Sequence, residues 1–241
     1  MSSAAAGWRL LVHDQLPSTA DLIRERAEGG EAERLAILAR RQTAGRGTHG
    51  RTWHSPEGNL YLSILLRPDA LAREVPQWSL LAAVALHGAL APHAGQGLTL
   101  KWPNDLLLGG AKCAGILSEA ALDGAGRLAW LSFGFGVNLA FAPEVPGRRT
   151  AALPPPHLAP EEAAFAIMAS LDHWLAVREK AGFGAIRAAW MSHGHAMGGA
   201  LSVMARGVLH HGCFEGLDET GALRLRTATG LETVTAGEVN P

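Results

Sequence analysis

The sequence predicts an α+β protein, in which a main domain with a central sheet and flanking helices precedes a small all-β domain. Strand-length apolar segments alternate with helix-length segments through the first part of the chain. A loop with six prolines, residues 143–160, then precedes the clearest helix, 161–180. After Gly198 the chain consists of short apolar segments separated by turns, which is typical of a small β-barrel. We therefore expect a main domain over 1–195 and a β-barrel domain over 196–241.

Three segments carry helix signals. Ser18 followed by Asp21 resembles a capping box, which predicts a short helix over 18–30. Residues 76–90 can place their large apolar side chains on one face, and 161–180 has apolar residues at helical spacing behind an acidic start.

The remaining apolar runs have the length and composition of strands. In the main domain the predicted strands are 34–40, 59–66, 98–102, a hairpin over 106–119 that turns at Gly109–Gly110, and 127–139. In the C-terminal domain they are 201–205, 208–214, 222–225 and 231–234.

Composition excludes several classes of protein. The formal net charge is −1, with 21 basic and 22 acidic residues, so no overall basic field attracts nucleic acid. Cys113 and Cys213 form no disulfide framework, which favours a reducing, cytoplasmic location. The N-terminus has no signal-peptide pattern, and no apolar run is long enough for a membrane span.

The segment from Gln42 to Arg51 is rich in glycine and arginine and formally contains the G-x-G-x-x-G pattern at Gly45–Gly50. A dinucleotide site needs a helix after the last glycine, whereas a strand is predicted here, so we reject that interpretation. Glycines permit close backbone approach to a ligand, and Arg46 and Arg51 offer forked donors to phosphate or carboxylate. A flexible surface hairpin with incidental arginines is the alternative.

Three further segments combine polar or small residues within apolar surroundings. Lys101–Asp105 groups a cation, an amide and a carboxylate around a proline, although Asn104 and Asp105 also suit an ordinary turn. Lys112 follows the predicted hairpin turn and has the alternative of an exposed turn lysine. The two glycines of Gly134–Asn138 interrupt an apolar strand, which indicates either a bulge or a close ligand approach.

Histidines provide no metal site by their pattern. The pairs His193/His195 and His210/His211 have no carboxylate or thiolate companions at ligand spacing, so we interpret them as solvated or core residues. No metal ligand is assigned from the sequence.

Taken together and in order, these motifs resemble the biotin–protein ligase family. The resemblance runs from about residue 14 to the C-terminus, and its most specific part is the glycine–arginine loop followed by Lys–Trp–Pro–Asn–Asp. It rests on Ser18–Thr19, Gln42–Arg51 with Trp53, Asn59–Tyr61, Lys101–Asp105, Lys112–Leu117, Gly134–Asn138, Gly216–Leu223 and Gly237–Val239.

The resemblance implies a fold and a reaction. The fold is a mixed or antiparallel sheet flanked by helices, similar to class II synthetases, with a small SH3-like barrel at the C-terminus. The reaction has two steps: biotin and ATP give biotinyl-5′-adenylate and pyrophosphate, and a carrier-protein lysine then takes the biotinyl group and releases AMP. Mg²⁺ is expected with ATP, although the sequence shows no dedicated cage.

The resemblance also implies roles for individual residues. Arg46, Lys112 and Asp105 are expected to act in catalysis, the first two by offsetting anionic charge and Asp105 by orienting the incoming lysine. The expected biotin-binding residues are Ser18, Thr19, Gln42, Gly45, Arg46, Gly47, Lys112, Gly115 and Gly134. The expected ATP- and adenylate-binding residues are Arg46, Arg51, Trp53, Lys101, Asn104, Lys112 and Asn138.

The sequence departs from the family pattern at two positions. Ala20 stands where an asparagine follows Ser–Thr, and Thr48 stands where the glycine–arginine loop has a second arginine. Family members use that arginine to retain the adenylate, so Thr48 predicts faster release of biotinyl-adenylate.

The expected partner is the biotin carboxyl carrier domain of a carboxylase such as acetyl-CoA or pyruvate carboxylase, without nucleic acid or membrane. Ser18 lies too near Met1 to leave room for the DNA-binding domain of some relatives, and a homodimer is one of two assemblies found among them. Two alternatives stay open: a lipoate or octanoate protein ligase, and a biotin-adenylate sensor without transfer activity.

Overall fold

A computed structural model describes residues 7–240, which form two β-sheets and three helices. The main-domain elements are β1 (Arg9–Leu16), α1 (Thr19–Glu28), β2 (Leu35–Gln42), β3 (Leu60–Leu66), α2 (Val75–Ala94), β4 (Leu98–Lys101), β5 (Asp105–Leu108), β6 (Ala111–Leu122), β7 (Leu128–Val137) and α3 (Pro160–His193). The C-terminal elements are β8 (Ala200–Ala205), β9 (Val208–Leu217), β10 (Leu223–Thr227), β11 (Gly230–Val234) and β12 (Glu238–Asn240).

The main sheet has seven strands in the order β1-β2-β3-β7-β6-β5-β4. Only the β1–β2 pair is parallel, because α1 carries the chain back between these two strands. All other neighbours are antiparallel and are joined mostly by short turns. The structure thus confirms the predicted mixed sheet flanked by helices.

The two faces of this sheet are covered by different helices. Along β2, the buried Leu35 and Ile37 pack in the α1 cluster, whereas Ala36 and Leu38 belong to the larger core with α2 and α3. This alternation is the period-two pattern of a strand buried on both faces. Helix α1 has ten residues and covers only part of its face of the sheet.

The C-terminal residues form a five-stranded antiparallel sheet in the order β11-β10-β9-β8-β12. Val203, Phe214, Leu223 and Leu225 are fully buried there and belong to the same continuous core as the main domain. This sheet is the small all-β unit that the sequence predicts, although the boundary at 195/196 stays a prediction.

Several boundaries differ from the sequence prediction. Strand β1 was not predicted because it is a half-exposed edge strand whose sequence mixes Arg9, His13 and Asp14 with apolar residues. Strand β12 has only three residues. Helix α3 continues beyond Gly182, which takes φ 70° and ψ −172° and allows the chain to kink and resume a helix.

Within residues 7–240, no helix has enough uninterrupted apolar length to span a membrane.

Phe214 is the clearest test of the C-terminal core. It is fully buried within 6.3 Å of the Trp190 ring centroid, so Phe214→Ala should lower the free energy of unfolding by about 3–5 kcal/mol. Phe141→Ala, the same change at a side chain that is 57% exposed, should cost far less. Urea denaturation compares the two, and equal losses would contradict the buried placement.

Candidate active site

A cleft lies over the middle of the main sheet, beside the N-terminus of α1 and under the glycine–arginine loop. We call it the first cleft. It is lined by Ser18, Thr19, Ala20, Gln42, Arg46, Gly47, Thr48, Trp53, Ser63, Asn104, Lys112, Gly115, Ile116, Leu117, Gly134, Phe135 and Gly136. Residues that are far apart in sequence meet here because β3, β7 and β6 are neighbours in the sheet.

Glycines form the floor of the first cleft. Across β7, Gly134 pairs with Ser63 of β3 and with Leu117 of β6, and Gly136 pairs with Gly115. A Cβ atom on Gly136 would lie 2.5 Å from Cε2 of Trp53, and one on Gly115 would lie 3.2 Å from Nζ of Lys112. The missing side chains therefore leave room for the indole and the ammonium group to lie directly on the sheet.

A chain of hydrogen bonds forms one wall. Ser63 Oγ donates to Thr19 Oγ1 at 2.9 Å, and the Thr19 amide and hydroxyl donate to Gln42 Oε1 at 2.8 and 3.1 Å. Gln42 Nε2 donates to Ser55 Oγ, which donates to the Trp53 carbonyl. This chain fixes the orientations of the polar groups, so the wall is suited to a neutral ligand that needs both donors and acceptors.

Ser18 occupies the N-cap of α1, as the capping signal predicts. Its hydroxyl oxygen accepts from the Asp21 amide at 3.4 Å, and the side chain is buried. Gly45 lies behind the wall rather than in the cleft, because a Cβ atom there would come within 2.5 Å of Ser55 Oγ.

A second cleft adjoins the first and shares Gly47, Thr48, Trp53 and Lys112 with it. Its other lining residues are Arg51, Thr52, His54, Asn138, Pro143, Val145, Arg148 and Thr150. Asn138 is buried and donates from Nδ2 to the Ala151 carbonyl, whereas its Oδ1 has no hydrogen-bond partner among the described residues. Such a buried acceptor suits a ligand that donates a hydrogen bond.

Lys112 stands at the junction of the two clefts. Its Nζ lies 2.5 Å from Asp105 Oδ1 and 5.4 Å from the Trp53 ring centroid. Lys101 Nζ lies 4.0 Å from Asp105 Oδ2; burial lowers the pKa of Lys101, although the Asp105 carboxylate opposes this shift. The Asp105 carboxylate thus holds the ammonium groups of Lys112 and Lys101 close together, and that of Lys112 lines both clefts.

Arg46 projects from the loop toward α1 and β6. Its two terminal nitrogens donate to Asp21 Oδ1 at 2.8 Å and to Glu119 Oε1 at 3.0 Å. Burial disfavours the charge, but the Glu119 and Asp21 carboxylates outweigh burial and raise the pKa of Arg46. The guanidinium is therefore fixed as a cation beside the first cleft.

The C-terminal sheet contacts the second cleft through Glu238, which binds two of the arginines that line the cleft. Glu238 of β12 accepts from Arg51 at 2.9 Å through both carboxylate oxygens, and from Arg148 at 2.7 Å. Arg51 also donates to Thr48 Oγ1 at 2.9 Å. The glycine–arginine loop is thereby attached to the C-terminal sheet.

The Lys101–Asp105 segment is held by hydrogen bonds to His195, Gly221 and Ile116. The Trp102 amide donates to His195 Nε2 at 3.2 Å, and the Trp102 indole donates to the Gly221 carbonyl at 3.2 Å. Burial lowers the pKa of His195 to about 4, so its ring is a neutral acceptor at neutral pH. Asn104 donates to the Ile116 carbonyl at 2.7 Å, which ties the segment to β6.

Most of the residues that the sequence singles out come together. Eight of the nine expected biotin-binding residues line the first cleft, namely Ser18, Thr19, Gln42, Arg46, Gly47, Lys112, Gly115 and Gly134. Arg51 and Asn138 line only the second cleft, Asn104 lines the first, and Trp53 lines both. Asp105 and Lys101 lie behind Lys112.

Sequence reasoning gave no role to Ser63 and Arg148, which line the clefts, or to Glu119 and Glu238, which hold arginines of the clefts. Ser63 is the one residue of β3 that is neither aliphatic nor aromatic, a signal that points to a polar site. Glu119, Arg148 and Glu238 carry no such local signal, since their partners lie on other elements.

Two family models match the chain. The biotin/lipoate A/B protein ligase family matches residues 12–138, and the biotin protein ligase C terminal domain matches residues 204–240. The first match contains both clefts' central strands, and the second contains the C-terminal sheet from the end of β8 onward.

Named relatives agree with these matches. The chain is 39% identical over 213 residues to a biotin--[acetyl-CoA-carboxylase] ligase of Paracoccus denitrificans, covering 84% of this chain and 88% of the relative. It is 32% identical over 249 residues to the bifunctional ligase/repressor BirA of Bacillus subtilis (strain 168), covering 99% and 76%.

Solved structures show the same fold. A biotin protein ligase from Aquifex aeolicus in complex with biotin and ATP aligns with a TM-score of 0.81 at 25% identity, covering 96% of this chain and 97% of the other. A Leishmania major enzyme with biotinyl-5-AMP aligns with a TM-score of 0.61 at 27% identity, covering 95% and 99%. The chain therefore belongs to the biotin/lipoate A/B protein ligase family. Within that family, its C-terminal domain and its relatives place it among the biotin–protein ligases, and it is an enzyme.

Gly136 tests the contact between the sheet and Trp53. Gly136→Ala should lower the free energy of unfolding by about 1–3 kcal/mol, since the new methyl group displaces the indole. Gly124→Ala, where nothing lies within 4 Å of the new atom, is the matched control. Urea denaturation measures both, and a neutral Gly136→Ala would contradict the packing of Trp53 on the sheet.

Proposed function

We propose that the chain activates biotin with ATP and transfers it to a lysine of a biotin carboxyl carrier domain. The biotin carboxylate attacks the α-phosphorus, the bond to pyrophosphate breaks, and biotinyl-5′-adenylate forms. A neutral lysine amine of the carrier then attacks the anhydride carbonyl, and AMP leaves. The observation that carries the proposal is that two adjoining clefts meet at Trp53 and Lys112. One has a wall of neutral hydrogen-bonding groups, and the other is lined by Arg51 and Arg148.

In this proposal, the first cleft binds biotin. The wall of Thr19, Gln42 and Ser63 suits the ureido group, which has two N–H donors and one carbonyl acceptor. Gly134 leaves width for the ring system beside Trp53 and Lys112, which cover Gly136 and Gly115. Gly45 contributes through this wall, since a Cβ atom there would displace Ser55 and Gln42.

The second cleft binds the adenylate portion of ATP. Asn138 Oδ1, buried and without a hydrogen-bond partner among the described residues, is suited to accept from the adenine amino group. Arg51 and Lys101 supply positive charge toward the phosphates.

Lys112 and Arg46 stabilise the reacting centre. Both substrates are anionic, so their approach and the charge that develops on the phosphoryl oxygens require cations at the junction of the clefts. Lys112 meets this need because Asp105 holds its ammonium group between both clefts. The role of Asp105 in orienting the incoming lysine amine is proposed from the family resemblance, since its carboxylate lies behind Lys112 and lines neither cleft.

Magnesium does not fit here as a resident ion. Within the described part of the chain, no group of three or more His, Cys, Asp or Glu side chains can hold a metal, and Asp105 is already paired with Lys112. We propose that the ion enters on the phosphates of ATP.

The carrier is inferred from the relatives, and the location is inferred from the cysteines. A ligase of acetyl-CoA carboxylase is among the relatives, which favours that carboxylase's carrier domain as the acceptor. Both cysteines are free, which supports a reducing cytoplasmic location. A homodimer and the lack of DNA binding stay predictions.

The test is biotin-dependent exchange of labelled pyrophosphate into ATP, with lipoate as the control substrate. Exchange with biotin alone is expected. Exchange with lipoate alone would assign the chain to the lipoate branch of the family, and exchange with neither would contradict adenylation.

The same assay tests the role of Lys112. Lys112→Ala should reduce exchange by about 100-fold or more, because it removes charge stabilisation from the transition state. Lys180→Ala, at an exposed position on α3, should retain normal exchange. Retention of exchange by Lys112→Ala would overturn the proposed role.

Thr48 tests adenylate retention. Thr48 lines both clefts, so Thr48→Arg adds a cation where the mixed anhydride is proposed to lie. Release of biotinyl-adenylate should slow by about tenfold or more, the effect of one added charged hydrogen bond. Thr229→Arg adds the same charge at an exposed turn and should leave the release rate unchanged. Equal rates for wild type and Thr48→Arg would refute the prediction.

A further inference from the structure

Four charged side chains form a closed ring beside the first cleft. Arg46 and Arg24 both contact Asp21 Oδ1, at 2.8 and 2.7 Å. Both also contact Glu119 Oε1, at 3.0 and 3.6 Å. Each arginine thus shares both carboxylates, and the formal charges cancel. We call this set the charge ring.

The charge ring joins the elements that enclose the first cleft. Asp21 and Arg24 lie on α1, whose first residue, Thr19, lines the cleft; Glu119 lies on β6, two residues beyond Leu117 of the lining. Arg46 is the member that belongs to the glycine–arginine loop, and it lines the cleft itself. The ring is therefore a side-chain connection from the loop to both walls.

Carboxylates beside an arginine that binds anions repel those anions. Their presence here therefore calls for a compensating role. The Glu119 side chain is only 19% exposed, which makes its charge costly to keep. A guanidinium has five N–H groups, of which the ring uses two of Arg46, and within residues 7–240 no other acceptor takes the remaining three. Arg46 can therefore stay in the ring and still donate to a substrate oxygen.

We infer that Asp21 and Glu119 are positioning residues that fix Arg46, and through it the glycine–arginine loop, against the first cleft. This inference rests on the proposed function, in which Arg46 meets the biotin carboxylate and the α-phosphate. Glycine-rich segments lose much conformational freedom when they are fixed, and a loop that is held beforehand binds its ligand with a smaller entropic loss. Arg24 neutralises the second charge of the acid pair, so the ring does not make the cleft negative.

The test uses Glu119→Gln and Asp21→Asn in the full chain. Each substitution removes one charge and keeps the side-chain shape. Asp21→Asn also keeps the backbone N–H of residue 21 that donates to Ser18 Oγ. In the exchange assay at saturating ATP, each variant should raise the KM for biotin roughly fivefold to tenfold, with kcat within about twofold of wild type. Trypsin cleavage after Arg46 and Arg51 should become faster.

The control is Glu215→Gln, which also removes a strand carboxylate from an arginine partner, Arg226, at 2.9 Å but on the C-terminal sheet. It should leave KM, kcat and cleavage in the loop unchanged.

Three outcomes would overturn the inference. A lower KM for biotin in Glu119→Gln would mean that the acids compete with substrate for Arg46. An unchanged KM with a lower melting temperature would reduce the ring to a stabilising contact. Unchanged trypsin cleavage would show that the ring does not hold the loop. If wild type itself shows no exchange, the proposed function fails, and the cleavage rates still decide whether the ring fixes the loop.

Discussion

The site depends on a line of missing side chains at the centre of the main sheet. Gly115, Gly134 and Gly136 leave one face of β6 and β7 bare, where Trp53 and Lys112 then pack. The neighbouring residues Phe133 and Phe135 are buried in the core shared with α2 and α3. Because successive strand residues face opposite sides, the same strand builds a dense core on one face and a cleft on the other.

A second constraint is that the cations of the site are held by carboxylates from elsewhere in the fold. Asp105 holds Lys112, Asp21 and Glu119 hold Arg46, and Glu238 holds Arg51 and Arg148. Partly buried charges without partners would destabilise the chain, although solvent screens the more exposed of them. The pairing therefore lets the protein concentrate positive charge around two clefts at a formal net charge of only −1.

The C-terminal sheet contributes to the site as well as to stability. Glu238 fixes the glycine–arginine loop, and the Gly221 carbonyl, in the turn between β9 and β10, accepts from the Trp102 indole within the Lys101–Asp105 segment. Two loops that belong to the main domain are thus positioned from outside it. A preorganised site needs such support, because an error of about 1 Å in a charged group sacrifices much of its effect.

The sequence by itself determined the fold class and most element positions, and its resemblance to a family singled out eight of the residues that line the first cleft. The element positions follow from local patterns: strand composition and length for 59–66, an N-cap for Ser18, and glycines interrupting an apolar strand at Gly134 and Gly136. Strand β1 was not predicted from the sequence, because an exposed edge strand needs few apolar residues. Only the tertiary structure decided that Gly45 supports the wall, that Asp105 lies behind Lys112, and that Arg46 pairs with Asp21 and Glu119. Such pairings depend on which strands become neighbours. Long-range packing sets that order, and local residue spacing does not reveal it.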